Sequence, residues 1–267
     1  MIINSQRTIY ALDMQSHMML GMPYETLPNT TLNEKYNFLT NLTTNGVYPT
    51  IKYLVIGKGG TPKFTNSLMK HSAHTAKDAA LFEQVPFVMK THETDLSAAD
   101  QAKYRFRFIE IHNGVEYVCY YLKIIPSIDL NRGIYQVNVV GNDGKLGYFD
   151  TNRSDILLPK PAANINYLDT ANSVYLAKSM KVMFEMTIDD IDNLKEVYKI
   201  LYKEPVNITE IGVCSGIDTP IASGAIEAKC VQLNYFVGVD INLVEDLDAN
   251  GQFIRSIEIG GSEMLIM

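Results

Sequence analysis

Three stretches of the chain carry side chains whose types and spacing could do chemistry. In IGKGGT (56–61) glycines follow an apolar, strand-like run, and backbone amides freed in that position can cradle a phosphate. The Walker spacing is absent, because no Gly-Lys-Ser/Thr follows, and Pro62 takes the place of the third glycine of the dinucleotide fingerprint. A tight loop leaving a buried strand is the simpler account. His71, His74 and Asp78, in HSAHTAKD, can share one helical face and resemble a metal set in residue type. No Glu follows His71 as a zinc-protease motif requires, and His92 and His112 stand apart, so an ordinary helical turn explains the run. In DLDANGQFIRSIE (246–258) Asp246, Asp248, Asn250 and Gly251 match the opening of a calcium loop, yet Ile257 stands where the bidentate Glu belongs. A hairpin turn rich in Asp, Asn and Gly accounts for the segment, and whether the Asp246–Gly251 turn takes a cation is left open by the sequence.

Nucleophilic catalysis has no constellation to stand on. CSGID around Ser215 lacks the leading glycine of a nucleophile elbow. Asp189, Asp190 and Asp192 are paired carboxylates, but they fall at an expected helix start, where the helix dipole favours them structurally. The residues therefore assign no catalytic, cofactor-binding or metal site, and no cofactor is expected.

The elements that would position these groups can be read from periodicity. The first 30 residues, rich in Met, Thr, Asn and Pro, read as an irregular N-terminal arm, with an α+β domain over 31–267. The irregular text around 141–175 is the one place where that domain could subdivide. Tyr36, Leu39 and Leu42 recur at helical spacing and predict a short helix over 32–42. IKYLVIG (51–57) predicts a buried strand, and AKDAALFEQ (76–84) a helix ended by Pro86, with FVMK extended after it.

The clearest local signal is YRFRFIEIHNGVEYVCYYLKII (104–125). Two alternating runs flank Asn113-Gly114, a dipeptide suited to the positive φ angles of a two-residue hairpin. Phe106 and Phe108 share one face and Arg105 and Arg107 the other. Both faces of the second run are largely apolar, which places it inside a sheet. Strands are predicted at 134–140 and 178–188. Thr187 and Asp190 then offer a capping box, opening an amphipathic helix of about 15 residues along Ile191, Leu194, Tyr198 and Leu201 that Pro205 stops. The last third returns to strands at ITEIGVC, EAKCVQLNYFVGVDINL and FIRSIEIGG. Runs of strand with two or three short helices between them predict an α+β fold, mainly antiparallel sheet.

Composition narrows the classes further. The chain has 267 residues, 46% of them hydrophobic and 20% charged, which excludes a disordered chain, a collagen-like repeat and a disulfide scaffold. Its net charge of −7 and lack of a basic run argue against a nucleic-acid surface, where clustered Lys and Arg must displace phosphate counterions. No apolar run reaches the ~18 residues of a spanning helix, and no secretory signal is read. Cys119, Cys214 and Cys230 lie in apolar runs and read as small core residues, in keeping with a reducing compartment. With 16 Tyr, 10 Phe and 12 Met, the chain is supplied with side chains favoured both in cores and at protein contacts.

Four segments, in order, resemble virion structural proteins of tailed bacteriophages, of the baseplate or tail kind. They are YLVIGKGGTP (53–62), HTAKDAALFEQVPFVMK (74–90), DLSAADQAKYRFRFIEIHNGVEYVCYYLKII (95–125), and ITEIGVCSGID (208–218) taken with EIGGSEMLIM (258–267). The series and its order span about two thirds of the chain. Thr61 stands where the pattern has His, and Met264 where it has Pro. The resemblance implies a non-enzymatic subunit, a baseplate wedge component that packs against copies of itself and other tail proteins. It would be assembled in a bacterial cytoplasm, without nucleic acid or membrane insertion. On that view the N-terminal arm orders on assembly, and removing residues 1–22 would leave the fold intact. The competing reading is a metal-dependent or small-molecule-binding cytosolic enzyme using the 56–61 turn or the His71, His74 and Asp78 region.

Overall fold

The computed structural model describes residues 2–4, 6–20, 49–59, 77–126, 134–140, 146–151, 173–220, 225–243, 247 and 251–264. The strands form two sheets, almost entirely antiparallel, as the alternating sequence predicts. The larger is built around β3 (Thr50–Gly57), whose apolar run from Tyr53 to Gly57 is buried. β3 pairs on one side with β11 (Asn207–Pro220), which pairs in turn with β12 (Ile226–Asn242). On its other side lie the two-residue β4 (Gln84–Val85) and the end of β7 (Val115–Ile124). β7 also carries β5 (Val88–Lys90) and β6 (Tyr104–His112). The smaller sheet runs β1 (Ile2–Asn4), β13 (Phe253–Met264), β10 (Ser173–Met186), β8 (Ile134–Val140) and β9 (Leu146–Thr151).

The two sheets share one core. Val182, Phe184 and Met186 of β10 alternate inward, meet Phe253, Ile257 and Ile259 of β13, and join the buried residues of the larger sheet. Phe184 and Phe253 pack edge to face with ring centres 5.6 Å apart, a favoured aromatic geometry. β11 and β12 are long, 14 and 17 residues, and their register shifts three times. Such bulges add twist and let long strands curve around a core.

The hairpin and the late helix form where the sequence places them. Asn113 and Gly114 both have positive φ, 52° and 81°, as a two-residue turn requires. Helix Ile188–Leu201 has Thr187 as its N-cap, with Asp190 returning the bond to complete the capping box. It buries Ile191, Leu194, Val197 and Tyr198 and packs on both β5 and β10.

Two expectations are corrected. The N-terminal segment is not an irregular arm over residues 2–20. β1 pairs parallel with β13, β2 (Gln6–Arg7) pairs with β12, and α1 (Ile9–Leu20) lies against β12. Thr8 anchors the turn between them. Its amide and its hydroxyl donate to the carbonyls of Asn234 and Leu233, both at 2.8 Å, and its hydroxyl accepts from the Ala11 amide. Weak helical amphipathicity hid α1, since Ile9 and Leu12 are exposed while Ala11 and Met14 are buried. Residues 21–30 of the expected arm lie outside the described residues.

The helix expected over 76–84 is the second correction. Residues 77–83 run through turn and bend, and Gln84–Val85 add to β3. The Lys58 amide donates to the Glu83 carbonyl at 2.8 Å, so pairing with the buried strand overrides a local preference for helix. The helix expected over 32–42 and most of the 141–175 stretch lie outside the described residues.

Candidate functional site

The described part of the glycine turn, residues 56–59, is backed by a buried side chain. Glu210, on β11, is only 1% exposed and faces β3 from beneath the turn. Its carboxylate accepts from the amides of Phe82 and Glu83 at 3.3 and 3.5 Å. A Cβ added to Gly57 would stand 2.4 Å from Glu210 Oε2 and 2.8 Å from the Glu83 carbonyl oxygen, and one added to Gly59 would stand 2.4 Å from Phe82 Cβ. These glycines therefore admit a neighbouring backbone and the Glu210 side chain, whose oxygens already hold the amides of Phe82 and Glu83. Beside it, Lys58 pairs with Glu204 and lies 4.0 Å from the centre of the Tyr202 ring. Thr209 donates its hydroxyl to the Gly59 carbonyl at 2.6 Å.

The other sequence candidates are dispersed. His71 and His74 lie outside the described residues; Asp78 is half-buried in the turn-and-bend segment. Among the described residues no group of three or more His, Cys, Asp or Glu could hold a metal. Of the Asp246–Gly251 turn, Leu247 and Gly251 are described, and Gly251 has φ of 73°, as a tight turn demands. Cys119, Cys214 and Cys230 are free and buried, and burial pushes the Cys214 thiol far above its ordinary range.

The densest polar system was not singled out by the sequence, and it lies at the start of β6. Three side chains there, those of Tyr104, Arg105 and Arg107, each hold a carboxylate. Tyr104 donates its hydroxyl to Asp190 Oδ1. The other oxygen of Asp190 accepts from Lys123 Nζ at 2.5 Å and from the Thr187 amide and hydroxyl, both at 2.8 Å. Lys123 also donates to the Glu185 carbonyl of β10 at 2.9 Å. The Lys123 and Asp190 side chains are 9% and 6% exposed, so this pair ties β7, β10 and the late helix together inside the protein. Burial works to raise the Asp190 carboxyl, but the Lys123 ammonium, the Tyr104 hydroxyl and the Thr187 amide outweigh it and hold the group below the usual carboxylate range.

Arg105 is held in the same manner. Its Nε donates to Asp218 of β11 at 2.9 Å, and its Nη1 donates to the carbonyls of Ala102 and Tyr104. Tyr53 donates to the same Asp218 oxygen at 2.8 Å, and Lys52 lies 3.5 Å from the other. Burial again acts to raise Asp218, and the bonds from Arg105 and Tyr53 bring it below its ordinary value. Arg107 Nη2 bonds Asp95 Oδ2 at 2.8 Å, while Tyr120 donates to Asp95 Oδ1 at 2.8 Å. Asp95 is likewise depressed, against the pull of burial, by Arg107 and Tyr120.

Arg105 and Arg107 line a cleft of about 660 Å³ with Gln101, Tyr104, Ile226 and Glu227. It lies between β6, the short helix Ala98–Gln101 and the start of β12. Glu227 closes one wall by accepting from the amides of Phe106 and Ala228, both at 2.8 Å. A smaller, acidic hollow of about 360 Å³ near Asp95, Asp189 and Asp192 contains the ion pairs Lys103–Asp100 and Lys90–Glu196. Most of the charges in the two hollows, Arg105, Arg107 and Glu227 in the larger and Lys90, Asp95, Asp100, Lys103 and Asp190 in the smaller, are engaged with partners from the fold. Such an arrangement fixes strands and loops relative to one another. A working acid or base would instead need a group free to change its proton, at a pKa near the operating pH.

Signals for this system were present in the sequence. Arg105 alternates with phenylalanines in a strand, and Lys123 interrupts an apolar run on a strand expected inside a sheet. A cation so placed must be paired with a buried carboxylate.

The chain belongs to a family of unknown function, DUF7208, whose profile matches residues 2–266. Comparison with curated proteins and with solved structures gives no significant match.

Proposed function

We propose that this protein is a non-enzymatic structural subunit of a tailed-phage virion, a baseplate wedge component that assembles with copies of itself and with other tail proteins. The four-segment resemblance supports the class. The observation that carries an assembly role is the β6–β7 hairpin, whose distal half turns apolar side chains to solvent while Phe108 and Tyr117 stay packed against the core. Ile109, Ile111 and Val115 are 52%, 66% and 43% exposed there. A two-stranded ribbon gains little stability alone, and apolar side chains on such a ribbon are best satisfied by a neighbouring subunit. Beneath it, the ion pairs of Lys123 and Arg105 lock the hairpin base to the rest of the fold, giving a rigid lever.

At the described part of the 56–61 turn, Glu210 bonds the amides of Phe82 and Glu83, which supports a structural reading of those glycines. Mass spectrometry and immunogold labelling of purified phage particles from the source lysate test the proposal. Stoichiometric protein with label at the distal tail is the expected result. Label elsewhere on the particle would overturn the baseplate position, and absence from the particle would overturn the virion role.

A further inference from the structure

The polar side chains around the larger cleft are tied to the fold on one side and open on the other. Arg105 donates Nε to Asp218 and Nη1 to the carbonyls of Ala102 and Tyr104. Its Nη2, with two N–H donors, has no partner among the described residues and is not sealed from solvent. The Arg105 side chain is only 7% exposed, and the cleft it lines is where it opens. Glu227 repeats the pattern with the opposite charge. Its Oε1 accepts from the amides of Phe106 and Ala228, while Oε2 has no partner among the described residues and also meets solvent. Gln101 donates Nε2 to the Leu96 carbonyl at 2.8 Å and leaves its own carbonyl oxygen open to the same space.

The backbone between the two arginines is strained as well. Phe106 is fully buried and has φ of 56°, a left-handed conformation that a bulky side chain rarely adopts. Its amide turns to Glu227, and the Phe106–Tyr121 pair is missing from an otherwise regular β6–β7 register. Strain of this kind concentrates at ligand clamps and switches. The space itself, about 660 Å³, lies in the range of small-molecule sites, roughly 300–1,000 Å³.

We infer that this cleft binds a free amino acid with an apolar side chain, its carboxylate on Arg105 Nη2 and its ammonium on Glu227 Oε2. The local charges select a zwitterion. Asp218 already matches Arg105, and Asp95 already matches Arg107. Glu227 is held by two amides and by no ion pair among the described residues, so a phosphate would meet an uncompensated carboxylate. A polyamine would answer Glu227 but not the open guanidinium nitrogen, whose N–H groups need an acceptor. One carboxylate and one ammonium satisfy both with charge-assisted bonds and bring no net charge. The Gln101 carbonyl oxygen offers the ammonium a second acceptor. Ala98, Ala102 and Ile226 supply an apolar wall for the side chain. Because the fold holds both polar groups in place beforehand, binding has little ordering left to do. The inference goes beyond the assembly reading and does not rest on it.

The test is calorimetric titration of the purified full chain with L-leucine. Saturable binding with a Kd of about 1 mM or tighter is expected. N-acetyl-L-leucine keeps the carboxylate and loses the ammonium, and L-leucinamide does the reverse. Each should bind at least about tenfold more weakly than leucine. Glu227→Gln can still accept from the Phe106 and Ala228 amides, and it should weaken leucine by a similar factor. Circular dichroism establishes that this variant keeps the fold; if it does not, the analogue series on the natural chain decides alone. Hydrogen exchange should show leucine protecting residues 98–107 and 225–228. No binding of leucine, protection confined to other segments, or unchanged binding by the folded variant overturns the inference. Equal binding of leucinamide overturns it too. Equal binding of N-acetyl-L-leucine would give the site to a peptide C-terminus in place of a free amino acid, and overturns it as well.

Discussion

Replacing Lys123 by Met separates a bond that holds the two sheets together from one that only decorates them. The ammonium bonds Asp190 Oδ2 at 2.5 Å and the Glu185 carbonyl at 2.9 Å, and Asp190 is buried with it. Removing one member of a buried pair costs about 3–5 kcal/mol, because the other is left charged without its counterion. Asp190 would keep three donors, the Tyr104 hydroxyl and the amide and hydroxyl of Thr187, so the lower end, about 3 kcal/mol, is expected. For a chain of this size that amounts to a fall in Tm of roughly 6–12 °C. Urea unfolding followed by circular dichroism reads the same loss as a lower midpoint.

The pH dependence supplies a second readout. In the natural chain the Asp190 pKa is depressed, so its contribution is full above the unfolded carboxylate value of about 3.9 and is lost as pH falls through the folded value. Without Lys123, burial is opposed by neutral donors and by the more distant Lys103 ammonium, and the carboxyl protonates at higher pH. The difference between variant and natural chain should therefore be largest near pH 7 and shrink toward pH 4. A difference below about 0.5 kcal/mol at pH 7, the range of ordinary surface changes, would refute this account of the pair. So would a difference that stays constant with pH.

Three further outcomes are expected. Gly57→Ala should destabilise by more than about 2 kcal/mol, since its Cβ would meet Glu210 Oε2 at 2.4 Å, whereas Gly238→Ala, with nothing within 4 Å, should be neutral within about 0.5 kcal/mol; thermal unfolding of both variants checks the contrast. Deleting residues 1–20 should abolish cooperative unfolding instead of leaving the fold intact, because it strips Thr8, Ala11 and Met14 from β12, Met14 alone being worth roughly 2 kcal/mol of burial. A thiol reagent should modify none of the three cysteines in the native protein and all three in denaturant, read by mass spectrometry; fast native labelling of Cys214 would contradict its burial.

What the sequence displayed and what it concealed divide along physical lines. The hairpin at 104–125 and the capping box at Thr187 and Asp190 were legible because each rests on contacts between residues close in the chain. The helix expected over 76–84 failed where a long-range term won: the Lys58 amide and the Glu210 carboxylate claim the backbone of residues 82 and 83. α1 was missed for a related reason. One side of it covers β12 while Ile9 and Leu12 remain outside, so no apolar stripe marked it. The glycines at 57 and 59 were noticed correctly as unusual, but what crowds them lies well downstream, Glu210 and Glu83 at Gly57 and Phe82 at Gly59. Neither Arg105 with Asp218 nor Lys123 with Asp190 could be paired from the chain alone. The cations stood out in apolar text, but nothing local says which acid each would find.

The parallel pairing of Ile2–Asn4 with Ser256–Glu258 has a consequence for the order of events during synthesis. The partner strand emerges some 250 residues after the first, which at 5–20 residues per second is a wait of about 13–50 s. Through that interval β1 has no place to go, and the smaller sheet lacks β13, to which β10 pairs along twelve residues. Closing so long a loop is slow, as for any topology rich in distant contacts. β10 waits for some 75 residues (Val182 pairs with Ile257), about 4–15 s at the same rate, with one edge open to the wrong strand. Chaperone dependence in the making of this protein should accordingly track the last dozen described residues, and a truncation before β13 should aggregate.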